Sequence, residues 1–189
     1  VSYTSAPLAG RRPDYGYASS PTIYNDMLIV SPGGKDSSVA ALDLKDGAML
    51  WSSGGSKVGY SSPIIFSLQG SDYMAQLNAS DLSIFNISTN SLICKTSWET
   101  KYRINAAAPI YINGHILITS GYGKGAGLFK VHDEKLELVY ESKQLVCQFQ
   151  SPILKNGFIY AVTGDNDKKA SLVCMLSLIH ISEPTRQSP

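Results

Sequence analysis

Four stretches of the chain repeat one plan: "ASSPTIYNDMLIVS" at 18–31, "YSSPIIFSLQGSDYMAQL" at 60–77, "AAAPIYINGHILITS" at 106–120 and "FQSPILKNGFIYAVT" at 149–163. Each runs from small or polar residues into a proline, a short apolar strand, a turn and a second apolar strand. The prolines are Pro21, Pro63, Pro109 and Pro152, spaced 42, 46 and 43 residues apart. A proline has no N–H to give an inner ladder, so the head of a strand is a place where a sheet tolerates it. Beyond the first stretch, "SSVAALDL", a Lys45-Asp46-Gly47 turn and "AMLWSS" add a third and fourth strand, Asp-Gly being a strong hairpin signal. The second unit does this with "DLSIFNISTNSLICKTSW", and the third with "GAGLFKV" and "LELVYES".

Short runs of β-branched and aromatic residues recur between turns, and no long window carries a helical apolar period. The expected fold is therefore all-β. Four short antiparallel strands per unit, repeated about every 43 residues, match the blades of a β-propeller. The units fall at about 14–55, 56–100, 101–143 and 144–175. The expectation is a partial propeller of about three and a half four-stranded blades, truncated at both ends; a flat solenoid of the same units is the competing architecture.

Composition narrows the function classes. The 189 residues carry 16 Lys+Arg against 15 Asp+Glu, a formal net charge of +1 that argues against a nucleic-acid partner. Hydrophobic residues at 43% make disorder a poor reading. Charged residues, at 16%, leave the surface to Ser, Gly, Asn and Tyr. No stretch is long and apolar enough to predict a membrane-spanning helix. Cys94, Cys147 and Cys174 form no CxxC pair and have no His at metal-ligand spacing, so they read as small buried apolar residues and leave the disulfide state open.

The string "ALDLKDGAMLW", Ala41 to Trp51, resembles the repeat signature of the pyrroloquinoline-quinone-like (PQQ-like) β-propeller proteins, with Asp43, Gly47 and Trp51 in the signature places. "SPGGKDSSVAALD", "YSSPII" and "SGYGKGAGLFKV" resemble stretches of the bacterial secreted branch of that family. In the second unit Asn86, Asn90 and Cys94 stand where Asp, Gly and Trp would be, and the third unit lacks the Trp. Those blades would lose the docking contact the resemblance assigns to the Trp. Trp51 itself reads as a structural filler between blades. The resemblance implies a periplasmic or extracellular location. The last residues, "LSLIHISEPTRQSP" at 176–189, resemble a translated sequencing-adapter tail and are set apart from the fold.

Propellers commonly bind at the face where the loops entering their inner strands converge. Counting four residues before each proline gives Tyr17, Gly59, Asn105 and Gln148, with Tyr60 and Arg103 beside them. Tyr17, Tyr60, Arg103, Asn105 and Gln148 are the candidates for a binding rim, against the plainer reading of ordinary loop residues. "GYGKGAG" at 121–127 is not a phosphate loop, because Lys124 is followed by Gly125 rather than Ser or Thr. Asp165, Asn166 and Asp167 lack the further oxygen ligands of a calcium loop, so no metal site is expected. No catalytic residue stands out.

Two function classes remain. One is a non-catalytic scaffold that binds a protein, peptide or carbohydrate on its rim, with no cofactor. The alternative is part of a PQQ-dependent alcohol or sugar dehydrogenase, with PQQ held by calcium. The resemblance would give such an enzyme a vicinal Cys pair and a Glu, Asn and Asp set, and this sequence has no recognisable version of either.

Overall fold

A computed structural model describes residues 13–165 and 169–176. Among them every regular element is a strand. The first sheet contains β1 (Thr22–Tyr24), β2 (Met27–Val30), β3 (Val39–Asp43) and β4 (Met49–Ser53). The second contains β5 (Ile64–Leu68), β6 (Ser71–Leu77), β7 (Asp81–Asn86) and β8 (Ser91–Ser97). The third contains β9 (Ile110–Ile112), β10 (His115–Ser120), β11 (Gly125–Val131) and β12 (Leu136–Ser142). The fourth contains β13 (Ile153–Lys155), β14 (Phe158–Thr163) and β15 (Ser171–Leu176).

Within each sheet the strands lie in chain order and pair antiparallel, as blades of an open, partial propeller do. β15 takes in Leu176, which pairs with Phe158, so the fourth sheet runs one residue into the stretch that reads as tail. Residues 177–189 lie outside the described residues.

Local chemistry sets each hairpin. Asn25, Asn113 and Asn156 turn β1, β9 and β13 back with φ of 49°, 44° and 52°, the left-handed region that Asn enters more readily than most L-residues. In the first blade Asp43 Oδ1 accepts from the N–H of Lys45, and Gly47 takes φ 77° to return the chain. The second blade does the same with different residues: Asn86 Oδ1 accepts from Thr89 N–H, and Asn90 takes φ 55°. The departures from the signature therefore keep the turn, because Asn supplies both the acceptor and the left-handed backbone.

Successive sheets pack face to face through the two-residue alternation of their inner strands. In β10, Ile116 and Ile118 bury against the second sheet, while Leu117 between them buries against the fourth. Ile29, Val39 and Ala41 of the first sheet meet Met74 and Phe85 of the second. Each fully buried Ile or Leu contributes roughly 1.5–3 kcal/mol, and most of it depends on the neighbouring blade. Trp51 packs half-buried on the interface between the first and second sheets.

The second blade lacks the signature Trp, with Cys94 in its place, and a local substitute from outside the repeat signature packs the interface instead. Trp98, one residue past β8, is buried between the second and third blades. Its ring stands edge-on to Phe129, with centroids 5.9 Å apart. Gly127 is the reason it fits, since a Cβ there would lie 2.7 Å from Trp98 Cζ3.

Candidate functional site

Four strand-entry segments converge on one face of the arc. The residue before a proline is driven into extended backbone, and in extended backbone alternate residues face the same way. The first and third residues ahead of each proline therefore point together. These are Ser62 and Tyr60, Ala108 and Ala106, Ser151 and Phe149, and in the first unit Ala18 at the third place. All seven line one cavity of about 500 Å³, which Tyr15, Ile104 and Tyr122 complete.

Neighbouring segments are stitched at the same repeat position. The N–H of Ser20 donates to Ser62 Oγ at 2.8 Å, and that of Ala108 to Ser151 Oγ at 2.7 Å. Tyr60 N–H donates to the Asn105 carbonyl at 2.8 Å. The aromatic wall is built in pairs. Tyr15 and Tyr60 have ring centroids 6.0 Å apart, with Tyr15 N–H on the Tyr60 hydroxyl at 3.3 Å. Tyr102 meets Tyr122 edge-on at 5.0 Å, with Lys101 Nζ 5.2 Å from the Tyr102 ring. Phe149 is 66% exposed. The cavity thus offers apolar and aromatic walls with a few hydroxyls.

The five rim candidates separate. Tyr60 lines the cavity. Tyr17 is exposed beside it without forming its wall. Arg103 lies in an exposed turn, its Nε 2.7 Å from Glu99 Oε1. Asn105 and Gln148 point the other way, into the blade interfaces. Asn105 is fully buried; its Nδ2 donates to the carbonyls of Asn78, Ala79 and Trp98, and its Oδ1 accepts from Ser120 Oγ. Gln148 is buried over Gly121 with Nε2 lacking a hydrogen-bond partner. Sequence reasoning passed over Tyr15, Tyr122, Phe149, Ser62 and Ser151. A count of three and one residues before each proline, in place of four, finds the last three of them.

The remaining sequence candidates are structural. Lys124 Nζ sits 4.1 Å from the Trp98 ring and 3.3 Å from Glu141 Oε1. The turn it belongs to is held by Lys143 Nζ on the carbonyls of Gly123 and Lys124, and by Gly123 N–H on Asp165 Oδ2. Asn166 and Asp167 lie outside the described residues. No cluster of three metal-ligating side chains occurs among the described residues. Burial pushes the Cys94 and Cys147 thiols up to about 11, and Cys174 is exposed.

PQQ held by calcium does not fit this cavity. Calcium takes about six to eight oxygen ligands, carboxylates prominent among them, and the lining carries serine and tyrosine hydroxyls but no carboxylate.

Residues 10–177 match a family model described as outer membrane protein assembly factor BamB, a PQQ-like repeat. The chain is similar to the crystal structure of the computationally designed Ika4 protein, with a TM-score of 0.51 and 12% identity, over 89% of this chain and 98% of that one. That likeness shows the fold alone. The computationally designed Ika8 protein gives a TM-score of 0.43 at 10% identity, over 83% of this chain and 58% of that one. No curated protein matches the chain.

Proposed function

The chain belongs to the family described as outer membrane protein assembly factor BamB, and from that premise we propose that it is a binding scaffold without a catalytic step of its own. It holds a protein partner by an extended segment laid into the cavity where the strand-entry segments meet. The observation that carries this reading is the lining: Tyr15, Tyr60, Tyr122 and Phe149 wall a space of about 500 Å³ that, among the described residues, is lined by no Asp, Glu, His, Cys, Lys or Arg. Aromatic side chains bury large apolar area at little cost in side-chain freedom, which suits them to anchor a partner's apolar residues. Ser62 and Ser151 each accept one main-chain N–H and keep an O–H to donate to a carbonyl of the bound segment.

A periplasmic or surface-exposed setting goes with this reading and is supported by the family description. No helix among the described residues is long and apolar enough to cross a membrane.

The test uses fluorescently labelled peptides, each copying one strand of an outer-membrane β-barrel protein, and a linear glucan as the competing probe. The account expects the peptides to bind, and Tyr60→Ala and Phe149→Ala to weaken them at least tenfold with little change in melting temperature. Binding of the glucan in preference, or peptide binding indifferent to both substitutions, contradicts it.

A further inference from the structure

The stitching of neighbouring strand entries is interrupted between the second and third units. The residue before each repeat proline is Ser20, Ser62, Ala108 and Ser151 in turn. The N–H of Ser20 reaches forward to Ser62 Oγ, and the N–H of Ala108 reaches forward to Ser151 Oγ. Ser62 N–H holds the same place between them, but where its acceptor would hang, Ala108 carries a bare methyl group. Among the described residues no acceptor takes the Ser62 N–H.

Its direction follows from its neighbour. Tyr60 donates its N–H to the Asn105 carbonyl of the third unit, and in extended backbone groups two residues apart point the same way. Ser62 N–H is therefore also directed toward the third unit. Ser62 and Ala108 are both half-buried and both line the cavity, so the unused donor opens on the space that the partner segment fills.

The surroundings select the acceptor. The described lining has no Lys, Arg or His, so a carboxylate seated there would lose its hydration without gaining a counter-charge. A neutral main-chain carbonyl avoids that cost. The Ser62 hydroxyl, which accepts from Ser20 and keeps its own proton to donate, adds a second donor on the same residue. A partner that covers the Ser62 N–H without an acceptor loses the water bonded there and gains nothing in return.

Taking the cavity as the partner's seat, the reading on which this inference rests, we propose that Ser62 N–H anchors a main-chain carbonyl of the bound segment. Ala108 is the specificity-determining residue, because a serine there would engage the same N–H from within the chain, as Ser62 and Ser151 do for theirs.

Ala108→Ser supplies the missing oxygen. Amide hydrogen exchange at Ser62 should slow in this variant toward that of Ser20 and Ala108 in the unsubstituted chain, with the melting temperature unchanged or raised. The labelled β-barrel strand peptides should bind the variant about two- to tenfold more weakly, the worth of one hydrogen bond. Single amide-to-ester replacements scanned along the peptide, each making one carbonyl a poorer acceptor, should find a position that weakens binding to the unsubstituted chain and not to Ala108→Ser. Equal peptide affinity for the two chains overturns the inference and leaves the seat standing, whereas peptides that bind neither chain remove both. A Ser62 amide that exchanges no more slowly in Ala108→Ser overturns it too, because the N–H is then not directed at residue 108. So does weaker binding with no ester position whose cost the substitution removes, the mark of crowding by the added hydroxyl alone.

Discussion

Trp98 Nε1 donates to Ser120 Oγ at 2.9 Å across the second and third blades, and the serine hydroxyl in turn donates to Asn105 Oδ1 at 2.7 Å. The indole is thus both wedge and donor, and Asn105 clamps the loop that carries it by bonding to the Trp98 carbonyl at 3.1 Å.

Trp98→Ala is expected to cost about 3–5 kcal/mol, the range for removing a large buried aromatic. Trp98→Phe keeps most of the packing and leaves Ser120 short of a donor, a loss of about 1–3 kcal/mol. Urea unfolding of both variants checks the order.

Asn105→Ala removes four buried hydrogen bonds and should destabilise the chain by about 1–3 kcal/mol or more. Its effect on peptide binding should be small beside that of Tyr60→Ala. The pair separates clamp from wall: one variant lowers the melting temperature and the other lowers affinity.

Asp72 links the first two blades, accepting from Ser67 and from the Tyr24 hydroxyl, and these bonds hold its carboxyl below the usual range. A carboxyl depressed in the folded state adds stability above its unfolded value near 3.9, and loses it as pH falls through the folded value. The same bond raises the Tyr24 phenol, whose contribution is present below about 10 and fades as pH rises through the folded value. The advantage in melting temperature over Tyr24→Phe should therefore be flat near neutrality and shrink at both acid and alkaline ends. Melting curves of the two proteins across pH give the comparison.

Of the three cysteines, Cys94 and Cys147 are kept as thiols by burial, while Cys174 is exposed. A thiolate-specific reagent at neutral pH should modify one residue quickly in the native chain and all three after unfolding. Mass spectrometry locates the label, and rapid modification of Cys147 in the native state would contradict the packing described.

The architecture was legible because its signals are local. Prolines mark the inner strands, Asn and Gly mark the returns, and Asp43 with Gly47 states the outer hairpin in full. What stayed hidden depends on which face a residue presents. Counting four residues before the last three prolines reaches the side that packs between blades, which is why Asn105 and Gln148 are buried, whereas Tyr17, at that place in the first unit, is exposed; Tyr60, nearer its proline by one, faces the cavity. Trp98 escaped notice because it follows β8, outside the repeat signature, and its partners Ser120 and Gly127 lie in the next blade.

The central claim is that a partner's extended segment sits in the cavity at the strand-entry face. Backbone amide shifts of the labelled chain, followed during titration with a β-barrel strand peptide, test it most directly. The account predicts that the largest changes cluster at Tyr15, Tyr60, Tyr122 and Phe149, leaving the outer strands β4, β8 and β12 nearly unmoved. Changes centred on those outer strands, or none at saturating peptide, would contradict it.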